Sequence, residues 1–98
     1  MRHGKRDANH GAVLQELRSL GWFVEDTANV GPNAIPGFPD AIAVGFGVTL
    51  FCEIKDGWEP LTDAERAFQE RFRGEYVVIR SLDEVKSLTR SYASRVLN

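Results

Sequence analysis

The spacing of apolar side chains switches repeatedly between helical and strand periods along this chain. Val13, Leu14, Leu17 and Leu20 recur on one helical stripe and Gly21 is a natural stop, so a helix is expected over about Ala8–Leu20. His10 lies three and four residues before Val13 and Leu14 and extends that stripe toward one end. Trp22 to Asp26 alternates, Trp22 and Val24 on one side and Phe23 and Glu25 on the other, as a short strand does. Thr27 to Phe38 contains two glycines and two prolines and reads as a loop. Ala41–Val44 and Val48–Lys55 form apolar runs around Gly45-Phe46-Gly47, the pattern of a hairpin. Pro39, with no N–H to give, suits the start of a strand. Thr62-Asp63-Ala64-Glu65 and Ser81-Leu82-Asp83-Glu84 both have capping-box form. The first opens a helix with Ala64, Phe68 and Phe72 inward and Gly74 at its end. The second opens one with Val85, Leu88 and Tyr92 inside and a fraying end. Between them, Tyr76–Ile79 is a β-rich apolar run expected as a central strand. Periodicity alone therefore gives a small α/β domain with a mixed sheet.

Composition narrows the class only a little. Ninety-eight residues, 43% apolar and 27% charged, fit one globular domain with no repeat or low-complexity tract. No apolar run approaches a membrane span, and the basic N-terminus lacks the apolar segment of a signal peptide, so no membrane association is expected. Cys52 is the only cysteine; it sits mid-strand on the apolar side and reads as a core filler in a reducing, cytoplasmic setting. A formal charge of −2 argues against a general nucleic-acid coat protein. It leaves room for local basic groups: Arg2, Lys5 and Arg6 at the start, and Arg66, Arg71 and Arg73 on a predicted helix.

The chemistry lies at the end of the hairpin. In an extended strand Glu53 and Lys55 share a face, roughly 6.5–7 Å apart, while Cys52 and Ile54 point the other way. A buried strand has no structural reason to end in a carboxylate and an ammonium on one face, because each charge is costly to desolvate unless paired. Two acids beside a lysine suit a divalent cation and an activated water. The alternative is a Glu53–Lys55 surface ion pair with Asp40 as a turn residue. Register decides whether Asp40 joins. A three-residue loop, 45–47, sets Asp40 opposite Cys52, on the wrong side of the sheet. A two-residue loop (46–47), a four-residue loop (45–48) or a bulge sets it opposite Glu53, with Cβ atoms roughly 4.5–5.5 Å apart.

Pro39-Asp40, twelve intervening residues, then Glu53-Ile54-Lys55 resembles the PD-(D/E)XK nuclease signature. The surrounding text is similar to the small stand-alone VRR-NUC type of phages and bacteria: Asp7-Ala8-Asn9, Gly37-Phe38-Pro39-Asp40, Glu53-Ile54-Lys55-Asp56-Gly57, Pro60-Leu61-Thr62 and Tyr76-Val77-Val78-Ile79-Arg80-Ser81. The likeness spans about Arg6 to Leu88. It implies a restriction-endonuclease-like α-β-β-β-α-β core, a mixed sheet flanked by helices, plus a C-terminal helix. It also implies a metal-dependent DNA endonuclease acting on structured or branched DNA, a homodimer, and a bacterial cytoplasm with a phage or prophage origin. Asp40 and Glu53 would be metal ligands, with the Ile54 backbone carbonyl as a third oxygen, for Mg²⁺ or Mn²⁺. Lys55 would orient or deprotonate the attacking water. The rival of another class is a non-catalytic DNA-binding or assembly module that kept the fold.

Accessory positions follow from the same comparison. The family's first helix often carries a polar group near the metal, and the matching residue is His10, preceded by Asn9; the other reading of His10 is a partly buried structural residue. Where the family has a glutamine after its Leu-Thr, this chain has Glu65, either a cap residue or a site residue, and Gln69 one turn later is a second candidate. Trp58 either stacks on an unpaired base or wedges a junction, or else packs under its loop or against a second subunit. Lys5, Arg6 and Arg66 are candidate DNA contacts, and Asn29, Asn33, Gly31 and Gly37 could let backbone approach a phosphate.

Overall fold

A computed structural model describes residues 9–28 and 35–97. Its elements are α1 (His10–Ser19), β1 (Phe23–Asp26), β2 (Ala41–Gly45), β3 (Val48–Ile54), α2 (Asp63–Arg71), β4 (Glu75–Ile79) and α3 (Leu82–Leu97). The expected α-β-β-β-α-β order with a C-terminal helix is observed. The strands form one mixed sheet in the order β1-β2-β3-β4, antiparallel except for the parallel β3–β4 pair.

The two faces of the sheet are covered differently. On one face Val24, Ala41, Ala43, Leu50, Cys52, Ile54 and Ile79 join Val13, Leu14 and Leu17 of α1 and Val85 and Tyr92 of α3 in a continuous buried core. Trp22 belongs to it and donates from Nε1 to Thr89 Oγ1 at 2.8 Å, which satisfies the one polar atom of a buried indole. On the other face, α2 lies over an aromatic cluster. Phe51 and Phe72 have ring centroids 4.5 Å apart, Phe68 and Phe72 5.4 Å, and Phe38 and Phe68 5.4 Å. The neighbouring β1–β2 half of that face remains open, with Phe23 69% exposed opposite Val44 at 42%.

Some expectations need correcting. β4 lies at the sheet edge, not in its middle; of its run only Ile79 is buried, against the α1–α3 core, while Tyr76, Val77 and Val78 are half-buried. Ala64 is exposed rather than inward. The first helix begins at His10, with Asn9 at the N-cap position, and the Asn9 side chain makes no cap hydrogen bond. Its amide donates instead to the carbonyls of Lys55 and Arg80, both at 3.3 Å, tying the ends of β3 and β4 together. α3 continues to Leu97 where fraying was expected. At its start Ser81 Oγ accepts from the Glu84 N–H as a cap, while the Glu84 carboxylate accepts from the Arg80 N–H, one residue before the position a capping box requires. Among the described residues no helix is long and apolar enough to cross a membrane.

Candidate active site

The β2–β3 turn has an even number of residues. Gly45 pairs with Val48, leaving Phe46 and Gly47 as a two-residue loop with φ 52° and 79°. Positive φ at both central positions is the type I′ geometry that matches the twist of paired strands. Phe46 is an unusual residue there; its ring packs edge-on against Trp22, with centroids 5.0 Å apart, and this contact offsets the local cost. Pairing runs to Ala41 opposite Cys52. One further step sets Asp40 opposite Glu53, on the face that α2 covers.

Asp40 is fixed from two sides. Its backbone carbonyl accepts from the Thr27 N–H at 2.9 Å, and its Oδ2 accepts from the Ile54 N–H at 2.9 Å. The same register sets Pro39 against Ile54, and Pro39 has no N–H to give to the Ile54 carbonyl. In an extended strand that carbonyl lies on the same edge as the Ile54 N–H, the edge that faces β2.

Glu65 reaches the cluster from α2. Gly37, at φ 78°, lets the chain before Asp40 lie against the first turn of this helix; a Cβ there would come 2.1 Å from the Ala64 carbonyl oxygen. The capping box is complete. Thr62 Oγ1 accepts from the Glu65 N–H at 3.1 Å, and Glu65 Oε1 accepts from the Thr62 N–H at 2.8 Å. The same Oε1 lies 2.8 Å from Lys55 Nζ. Cap and cluster member are therefore one carboxylate, not alternatives.

Glu53 is 2% exposed and Lys55 4%. Lys55 Nζ is 3.9 Å from Glu53 Oε2, while Glu53 Oε1 is buried without a hydrogen-bond partner. Burial, then the charge of Asp40 and the hydrogen bond and charge of Glu65, push the Glu53 carboxyl up to about 10. Burial would raise Glu65 as well, but the Lys55 and Thr62 hydrogen bonds prevail and hold it below its ordinary value. Burial would lower Lys55, yet Glu65 and Glu53 keep its ammonium above the usual range. The cluster thus sets a Glu53 carboxyl that is hard to ionise beside a Glu65–Lys55 ion pair.

This arrangement fits a hard divalent cation. Burial first, then Asp40 and Glu65, make the Glu53 carboxyl hard to ionise, and a cation would favour its charged form; its Oε1 is buried without the partner that a cation would supply. The donors are oxygens, because Cys52 faces the core and its thiol is pushed up to about 12, chiefly by burial. The proposed ligand set is two carboxylates and a carbonyl; among the described residues no three His, Cys, Asp or Glu residues form a metal-holding group. No family model matches this chain, and no curated protein matches it either.

The other candidates are placed as follows. His10 is 2% exposed and its Nε2 lies 3.3 Å from Asp26 Oδ1. Asp26 pairs with Ala41 on the α1–α3 face, so His10 packs on the opposite side of the sheet from Glu53 and Lys55. Gln69 and Arg66 are exposed on α2, and Arg66 Nη2 donates to the Leu61 carbonyl at 3.0 Å. Trp58, expected either to stack or to pack, is 94% exposed and does not pack under its loop. Arg2, Lys5, Arg6, Asn29, Gly31 and Asn33 lie outside the described residues.

Two residues join that the sequence did not single out. Tyr76 stands opposite Phe51, hence on the Glu53 face; its hydroxyl is buried without a partner. Burial first, then the charges of Glu53, Glu65 and Asp40, raise it well above the ordinary phenol range. Alternation along Tyr76–Ile79 could have placed it there. Arg80, just past β4, donates from Nη1 to the carbonyls of Gly57 and Glu59 at 2.9 and 2.6 Å; no local sequence signal marks that role.

Proposed function

We propose that this chain is a Mg²⁺- or Mn²⁺-dependent endonuclease that hydrolyses DNA phosphodiester bonds, with structured or branched DNA as its substrate. The observation that carries this reading is the buried Glu53 carboxyl with a bare oxygen, set between Asp40 and Glu65 and beside Lys55. Nothing in the packing requires three acids and an ammonium at one sheet end, and such clusters are costly unless they serve a site. The resemblance to the PD-(D/E)XK pattern supports the same reading.

Asp40 and Glu53, with the Ile54 carbonyl, would hold the ion. A bound divalent cation supplies Lewis acidity toward a phosphate oxygen and a water. Lys55 holds a positive charge within the cluster, where it can orient a water and counter the charge that develops on phosphate. Glu65 fixes the position of that ammonium. A homodimer belongs to this reading, supported by the open apolar pair Phe23 and Val44; light scattering tests it. A bacterial or phage cytoplasmic setting belongs to it too.

A second reading draws on one observation. Lys55 already has a 2.8 Å partner in Glu65, as it would in a structural ion pair of a binding or assembly module. Incubation with plasmid and with a four-way junction separates the two. Cleavage with Mg²⁺ or Mn²⁺, none with EDTA and none in Lys55→Ala supports the hydrolase. Cleavage that survives EDTA or the substitution refutes the mechanism, and binding without cleavage leaves the module.

A further inference from the structure

The turn that follows Lys55 is held as firmly as the strand before it. Glu59 N–H donates to the Asp56 carbonyl at 3.0 Å, closing a β-turn with Gly57 at φ 47°. Arg80 Nη1 donates to the carbonyls on either side of Trp58, those of Gly57 and Glu59. Asn9 N–H donates to Asp56 Oδ1 at 3.3 Å. The backbone around Trp58 is thus tied to β3, β4 and the start of α1, while its indole stands 94% in solvent. Holding a large apolar ring out of the core on a clamped turn forgoes the burial that normally pays for a tryptophan.

We infer that Trp58 is a stacking platform for an unpaired base within about three nucleotides of the scissile phosphate, so that the preferred DNA carries an unpaired nucleotide near the cut. This rests on the proposed hydrolase site. Trp58 is three residues from Lys55, so their Cα atoms are within about 11 Å. That equals about three nucleotide steps along a strand at 3.4 Å each. Inside a duplex both faces of every base are covered by its neighbours, so a rigidly presented indole finds an open π-face only at a flap, gap, frayed end or junction. Stacking of this kind tolerates any base and so sets structure preference without reading sequence.

The two tryptophans make the test direct, because Trp22 is buried and only Trp58 can meet DNA. The full chain is titrated in EDTA with a 5′-flap oligonucleotide and with the matching continuous duplex, following tryptophan emission. Quenching by the flap DNA but not by the duplex is expected, and Trp58→Phe should remove the quench while keeping the affinity. Trp58→Ala should weaken flap binding by roughly tenfold or more and leave duplex binding unchanged. Equal quenching by both DNAs, or an unchanged flap-to-duplex ratio in Trp58→Ala, overturns the inference. So does emission of the free protein that shifts with its concentration, which would place Trp58 between two copies of the chain. Quenching without Mg²⁺-dependent cleavage removes the hydrolase reading alone; cleavage with an unchanged preference in Trp58→Ala removes the stacking role alone.

Discussion

Lys55 Nζ and the Thr62 N–H converge on a single oxygen, Oε1 of Glu65, each at 2.8 Å. The end of β3 is thereby coupled to the start of α2. Thr62→Ala removes the acceptor for the Glu65 N–H and should cost about 1 kcal/mol, a fall in Tm of roughly 4–8 °C. Because Glu65 is then less well held, cleavage should fall as well, and Thr62→Ser should restore both. Thermal unfolding and a nicking assay on the same preparations check this.

Glu53 sets a pH dependence of stability. Its folded-state value of about 10 lies far above the ordinary 4.5, so the folded chain keeps a proton there that the unfolded chain has given up. That contribution is fully present below the unfolded value and is lost as pH rises toward the folded one. Glu65, lowered, acts in the opposite sense and only on the acid side; Lys55, raised, acts only in alkali. Urea unfolding in EDTA should therefore show stability declining from about pH 5 to about pH 9. Glu53→Gln should be more stable at neutral pH and nearly flat over that range.

The same carboxyl predicts a response to metal. Binding a divalent ion would displace the Glu53 proton, so Mg²⁺ should raise the Tm of the wild type increasingly with concentration. Glu53→Gln should show no such rise. An equal rise in both would place the ion elsewhere.

Asp40→Asn keeps an oxygen for the Ile54 N–H and should leave the Tm within a few degrees. Cleavage should nonetheless fall by about 100-fold or more, as when a group stabilising transition-state charge is removed. A large drop in Tm instead would make Asp40 chiefly structural.

Gly37→Ala puts a methyl group 2.1 Å from the Ala64 carbonyl oxygen, on a residue with φ 78°. The loop or α2 must move, at a cost of order 1–3 kcal/mol. A lower urea midpoint accompanied by a cleavage defect is expected, since the same contact brings Glu65 toward Asp40.

The elements were legible because their periods are clean: Val13, Leu14 and Leu17 place α1, and Thr62 with Glu65 places the start of α2. The register of β2 on β3 was not. Ala41–Val44 is apolar on both faces, so no alternation pins it, and the turn depends on Phe46 taking a left-handed conformation that packing on Trp22 makes acceptable. The edge position of β4 was hidden for a related reason, since Tyr76–Ile79 carries apolar or aromatic side chains on both faces. Asp40, Glu53 and Lys55 could be named from their pattern, but the part Glu65 plays depends on Gly37, far away in the chain and close in space. The two readings of His10 could not be separated in sequence, because a helical stripe does not say which side of the sheet it covers; the structure sets it beside Asp26 on the α1–α3 face.

The two-residue bend at Phe46-Gly47 makes the site a matter of parity. One amino acid gained or lost in that bend, without a compensating bulge, would rotate Asp40 through the sheet and strand it among the leucines and valines behind. Length changes in this hairpin can therefore be absorbed only in pairs, and a count of residues there diagnoses whether a related chain can still bring its two acids together.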